Sequence, residues 1–92
     1  MTPEGKVKEE IKKGLAERGI WYFMPVQTGY GRRAVDFICC WDGGFVAIEA
    51  KAGKNKPSAY QRGILNEIEE AGGRAIVAYS WRDVADELEQ YG

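Results

Sequence analysis

Val35-Asp36-Phe37-Ile38-Cys39-Cys40-Trp41-Asp42-Gly43-Gly44-Phe45-Val46-Ala47-Ile48-Glu49-Ala50-Lys51 is the stretch that decides the fold. Two strand-like runs, Ala34 to Trp41 and Phe45 to Lys51, flank Asp42-Gly43-Gly44, a strong hairpin signal. Side chains alternate between the two faces of a strand, so Glu49 and Lys51 share one face with Phe45 and Ala47. If Asp42-Gly43 is a two-residue turn, Trp41 pairs with Gly44, and counting back sets Asp36 opposite Glu49. Opposed residues have Cβ atoms about 4.5–5.5 Å apart. A loop of two or four residues gathers Asp36, Glu49 and Lys51. A three-residue loop would turn Asp36 to the other face unless a bulge compensates.

Outward from the hairpin, the spacing predicts a first helix from Pro3 to Glu17, with Thr2 as N-cap, Pro3 at the first helical position and Gly19 past the end. Val7, Ile11 and Leu15 form its apolar stripe. Ile20 to Val26 reads as a buried strand, and Gln27 to Arg33 as a loop. After the hairpin come a basic loop, Ala52 to Pro57, and a second helix, Ser58 to Ala71, stopped by Gly72-Gly73. A fourth strand, Arg74 to Tyr79, and a final helix capped by Ser80 complete the order αβββαβα. The last strand–helix–strand unit calls for a parallel crossover. The expected fold class is α/β, a mixed four-stranded sheet flanked by helices.

Two carboxylates set opposite each other repel if both are ionised, and a divalent cation is the commonest reason to keep such a pair. Mg²⁺ takes oxygen ligands at about 2.0–2.1 Å and keeps several waters. Asp36 and Glu49 suit it, joined by a nearby backbone carbonyl such as that of Ala50. Such an ion polarises a scissile phosphate and acidifies a bound water. Lys51 then orients that water or offsets charge developing on phosphate. This is the minimum equipment for phosphodiester hydrolysis without histidine. The bland alternative is a salt-bridged Asp–Glu–Lys group on a wet sheet face, and D-x12-E-x-K alone favours it.

Composition narrows the field. The chain has 92 residues and no histidine, which excludes His-dependent triads and HExxH zinc sites. Cys39 and Cys40 are adjacent, point to opposite faces of a strand and read as two small buried residues rather than a disulfide framework. With 45% apolar and 29% charged residues the chain reads as soluble and globular. The first residues carry no apolar signal region and lead into a charged helix, so a cytosolic protein is expected, with no membrane partner. Net charge is −1, but residues 1–62 sum to +4 and residues 63–92 to −5, so a local positive surface for phosphate remains available. A chain this short buries a modest core, and a homodimer would enlarge it.

An acidic residue on the first helix (Glu4), a glycine- and arginine-bearing loop with Gly31, then Asp36, a hairpin, Glu49-Ala50-Lys51 and Gln61 near a helix start form an ordered set. That set resembles the PD-(D/E)XK nucleases. Within them, from Glu4 to about Tyr79, the chain is similar to a stand-alone VRR-NUC domain of the phage and bacterial type. The resemblance implies a restriction-endonuclease-like core and a single nuclease domain over residues 1–92. It implies a metal-dependent, structure-selective DNA endonuclease acting on branched DNA such as Holliday junctions. It further implies Mg²⁺ or Mn²⁺ as cofactor, a homodimer, and a phage or bacterial host cytosol. Asp36 and Glu49 are then metal ligands, with the Ala50 carbonyl and Glu4 adding to the metal or its water. Lys51 is the catalytic lysine, and Gln61 belongs to the catalytic set. Val35 stands where the family commonly has proline, and valine also favours an extended backbone.

Two of these residues have second readings. Glu4 lies on the Val7–Ile11–Leu15 stripe, which turns it toward the sheet, yet it is also a first-turn acid favoured by the helix dipole. Glu9 and Glu10 sit off that stripe and read as solvated, with Glu10 the substitute acid should the helix register differ. Gln61 closes a capping box with Ser58 as well as lying near the site. Tyr30, Arg32, Arg33, Lys54, Lys56 and Arg62 flank the centre and are the candidate DNA contacts, half of them expected to be ordinary loop charges. Trp21, Trp41 and Trp81 read as core or dimer-interface residues. Two other functions compete: a non-catalytic module of the same fold binding nucleic acid or protein, and a nuclease acting on flaps, duplex or RNA.

Overall fold

The structure, a computed structural model, describes residues 1–26 and 35–91. Its elements are α1 (Pro3–Glu17), β1 (Trp21–Phe23), β2 (Phe37–Trp41), β3 (Gly44–Ala50), α2 (Ala59–Glu70), β4 (Arg74–Ala78) and α3 (Trp81–Tyr91). The order αβββαβα expected from the sequence is the order found. The sheet runs β1-β2-β3-β4, antiparallel between β1 and β2 and between β2 and β3, and parallel between β3 and β4.

Local chemistry explains the boundaries. Thr2 Oγ1 accepts from the Gly5 N–H at 3.0 Å, and Pro3 gives up no hydrogen bond by opening α1. α1 ends as the Ile20 N–H donates to the Leu15 carbonyl and the Gly19 N–H to that of Ala16, with Gly19 at positive φ. The hairpin turn places Asp42 at φ 50° and Gly43 at φ 79°. Two consecutive positive φ values match the right-handed twist of the flanking strands. The turn pairs Trp41 with Gly44, and the ladder then runs to Phe37 opposite Ile48. β3 therefore starts one residue earlier than the sequence reading set it.

Helices cover both faces of the sheet. Ile11 and Leu15 of α1 and Val84 and Leu88 of α3 pack with Phe37, Cys39, Val46, Ile48, Ala50, Ile76 and Ala78. On the other face Leu65, Ile64 and Ile68 of α2 pack with Val35, Ala47, Ala75 and Val77. α1 and α3 are locked together at Trp81. Its N–H donates to Glu10 Oε2, and its ring lies against Gly14, where an added Cβ would come within 2.2 Å of the ring. Glu10 is exposed, as its place off the stripe implied, and it accepts from the α3 N-terminus rather than standing in as the site acid.

The segment read as a buried strand, Ile20 to Val26, is a three-residue edge strand with Trp21 62% and Phe23 52% exposed. Tyr22 and the buried Ile20 pack on the α1 side, whereas Trp21, Phe23 and Cys40, the partner of Trp21, are exposed. This corrects the reading of Cys40 as buried: alternation along the strand turns it to the face opposite Cys39. An apolar run looks the same in sequence whether a sheet edge is covered or bare. Trp41 and Trp81 are partly buried against the main core, as expected.

Candidate active site

The site lies where β2 begins and β3 ends, with the N-termini of α1 and α2 converging on it. The paired ladder ends at Phe37–Ile48, one step short of the Asp36–Glu49 pair counted from the hairpin, yet the two side chains still meet in a hydrogen bond. The chain bends at Asp36. Its carboxylate leaves the plain cross-strand position and Oδ2 accepts the Ala50 N–H at 2.9 Å, where the next backbone acceptor of the ladder would stand. Asp36 is 8% and Glu49 4% exposed, the two buried acids of the described residues.

Burying two carboxylates together has an electrostatic consequence. Burial first, then a hydrogen bond with Asp36 and the Asp36 charge, push Glu49 up to about 8; Lys51 opposes this and Glu4 adds to it. The Lys51 ammonium lies 3.8 Å from Glu4 Oε1. Gln61 serves both readings offered for it: Oε1 accepts the Ser58 N–H at 2.9 Å, completing the capping box, while Nε2 donates to Glu49 Oε1 at 3.4 Å. The α2 cap therefore orients the Glu49 side chain.

Glu4 is half-buried and reaches the site by its ion pairs with Lys51 and Lys8, so the helix-one acid does face the sheet end. Among the described residues no group of three or more His, Cys, Asp or Glu side chains is gathered to hold a metal. The convergent acids are the Asp36–Glu49 pair. The Lys51 N–H donates to the Ala78 carbonyl on β4, and a trans peptide then turns the Ala50 carbonyl to the opposite, Asp36 side. Two carboxylates and a carbonyl are hard oxygen donors that fit Mg²⁺ or Mn²⁺ with waters filling the remaining positions. Burial beside Asp36 favours the protonated form of Glu49, and a bound cation would offset the same repulsion.

Lys54, Lys56 and Arg62 are exposed around the site, on the loop after β3 and the first turn of α2. A cleft of about 560 Å³ lined by Thr2, Pro3, Glu4, Ala52, Gly53, Lys54 and Asn55 opens beside Glu4. The Tyr79 hydroxyl donates to the Asn55 carbonyl at 2.6 Å and ties this loop to the end of β4. Tyr30, Gly31, Arg32 and Arg33 lie outside the described residues. Another groove, of about 330 Å³ beside Phe45, Ile68 and Gly73, sits at the far end of β3 and has no carboxylate pair. Sequence reasoning missed Lys8, whose ammonium lies 3.4 Å from Asp36 Oδ1 and 3.9 Å from Glu4 Oε2. Its spacing of four from Glu4 was the available signal.

This fold has a counterpart among solved structures. One described as a VRR_NUC domain superposes with a TM-score of 0.79 over 100% of both chains at 20% identity. The chain has the VRR-NUC fold. No family model matches the sequence, and no curated protein does. At this identity the likeness is one of architecture. In this chain the mixed sheet brings β2 and β3 together at the end where Asp36, Glu49 and Lys51 stand. Among the described residues no helix is long and apolar enough to cross a membrane.

Proposed function

We propose that this chain is a metal-dependent endonuclease that hydrolyses phosphodiester bonds in branched DNA, four-way junctions foremost. The observation that carries the reading is the buried Asp36–Glu49 pair with the Lys51 side chain beside it, on a VRR-NUC fold. A salt-bridged group on a wet face would leave both acids solvated; these are not.

Asp36, Glu49 and the Ala50 carbonyl would hold Mg²⁺ or Mn²⁺, which supplies Lewis-acid polarisation of the phosphate and an acidified water. The Ala50 N–H fixes the Asp36 carboxylate, and Gln61 fixes that of Glu49, so both acids are oriented before substrate arrives. Glu4 holds the Lys51 ammonium at the mouth of the site, where it orients the attacking water or offsets charge on the phosphate oxygens. Lys54, Lys56 and Arg62 on the described surface, with Tyr30, Arg32 and Arg33, are the proposed backbone contacts. Acidic residues are gathered instead on the last turn of α2 and on α3, which sets the basic half of the chain toward the phosphates.

A chain of 92 residues that, among those described, gives seven elements to one sheet and its helices leaves little room for a separate element that reads base edges, which favours recognition of DNA shape. A homodimer supplies two centres for two strands. Trp21, Cys40 and Phe45 form one register row across β1, β2 and β3, and all three are exposed. With Phe23 they make an apolar strip of the kind subunit contacts cover.

The test is a panel of labelled four-way junction, flap, linear duplex and RNA hairpin, each with Mg²⁺, with Mn²⁺ and with chelator. Metal-dependent cutting of the junction ahead of the duplex supports the reading. Cutting of flap or RNA alone replaces the substrate, and no cutting of any member rejects the nuclease.

A further inference from the structure

Asp36 uses its two oxygens differently. Oδ2 is committed to the Ala50 N–H at 2.9 Å, whereas Oδ1 faces the Lys8 ammonium at 3.4 Å. A cation drawing on this buried carboxylate therefore has Oδ1 as the oxygen to take, and Lys8 is already there. Asp36 is 8% exposed and fixed by backbone. The Lys8 side chain is a third exposed, on a flexible four-carbon stem. Glu4, one helical turn earlier, already lies 3.9 Å from the same ammonium. Of the two partners, Lys8 is the one free to move, and Glu4 offers it a second position.

We propose that Lys8 is the internal counter-cation of this site: its ammonium occupies Asp36 Oδ1 in the metal-free protein, yields that oxygen to a divalent cation, and then serves the DNA phosphate from α1. The proposal rests on the nuclease reading and deepens it. Its signature is a pair of effects with opposite sign. Removing the Lys8 charge removes a competitor for Asp36, so metal binds more tightly. It also removes a cation near the phosphate, so DNA is bound and cut less well. A residue that merely supported the fold would weaken both.

Lys8→Gln in the full chain is compared with wild type by Mn²⁺ calorimetry without DNA, and by junction affinity and cleavage at saturating metal. The expected result is Mn²⁺ affinity raised about tenfold, the scale of one charge-assisted contact, with junction affinity and cleavage lowered. Lys8→Arg stays near wild type. Lys12→Gln, the loss of one charge a turn further along the same helix, leaves Mn²⁺ affinity within about twofold, as a screened exposed charge should. Lys8→Met keeps the stem and repeats the measurement should Gln perturb α1. Unchanged or weaker Mn²⁺ binding in both neutral variants, in a protein whose wild type binds Mn²⁺, overturns the role of Lys8 alone. A wild type that binds no Mn²⁺ overturns the metal centre and the role of Lys8 with it.

Discussion

The Asp36 carboxylate accepts the Ala50 N–H at 2.9 Å, one residue past the last backbone pair of the β2–β3 ladder. One side chain thus closes the sheet edge and presents an acid to the site. The two duties separate by mutation. Asp36→Ala leaves a buried N–H without its acceptor and lowers stability by about 1–3 kcal/mol. Asp36→Asn keeps an acceptor for Ala50, removes the charge beside Glu49, and loses the part-exposed Lys8 pair, while its amide can still hydrogen-bond Glu49. Its stability stays within about 1 kcal/mol of wild type, while metal-dependent cleavage is lost. Urea denaturation with chelator, beside a cleavage assay, reads both.

Glu49 gives the metal-free protein an unusual pH dependence. Its carboxyl is pushed up to about 8 in the fold, from an ordinary value of 4.5. Between those two values the native state holds a proton that the unfolded chain has released, so stability falls as pH rises. The expected urea midpoint with chelator declines from pH 5 to pH 8, and Glu49→Gln flattens the decline. Added Mg²⁺ or Mn²⁺ stabilises more at pH 8 than at pH 5, because metal binding displaces the proton.

Gln61 divides between a helix cap and the site, and Gln61→Glu tells them apart. Glutamate at this position of a capping box still accepts the Ser58 N–H. It also replaces a donor to Glu49 by a second carboxylate. Cleavage is expected to fall about tenfold or more through misplacement of Glu49. Gln61→Ala removes both bonds, and lowers stability by about 1 kcal/mol as well. Melting curves and initial rates for the two variants give the comparison.

Gly14 is set by the Trp81 ring rather than by backbone conformation. A Cβ there would lie 2.2 Å from the ring, and Trp81 is also held by Glu10 through its N–H. Gly14→Ala therefore gains helix propensity yet is expected to lose about 1–3 kcal/mol by overpacking. The melting temperature should drop, with cleavage at low temperature retained because the latch is remote from Asp36 and Glu49.

The element order and the hairpin turn were legible because each is local or follows by counting: Asp42-Gly43 sets the turn, and the turn sets every pair back to Phe37–Ile48, which leaves Asp36 and Glu49 close although the chain bends at Asp36. The α2 capping box was legible for the same reason, Ser58 with Gln61, whereas at α3 only the Ser80 half forms: Ser80 Oγ accepts the Asp83 N–H, but the Asp83 carboxylate accepts from the Tyr79 N–H, one residue before the cap. What failed depended on distant packing. The exposure of Trp21 and Phe23 follows from how far a helix extends over the sheet edge, which their own alternation does not encode. The partners of Glu10 and Lys8 had no local signature, since only the tertiary fold brings α3 to one and Asp36 to the other. The VRR-NUC resemblance was carried by residue types in order, whereas the ion pairs that hold Glu4 to Lys51 and Lys8 had no signature beyond helical spacing.

The most direct test of the account is cleavage of a labelled four-way junction by wild type and Lys51→Ala, with Mn²⁺ and with chelator. Wild type is predicted to cut only with Mn²⁺, and Lys51→Ala to cut about a hundredfold more slowly while remaining folded. Cutting in chelator, or a Lys51→Ala rate equal to wild type, would contradict a metal-dependent centre built on Asp36, Glu49 and Lys51.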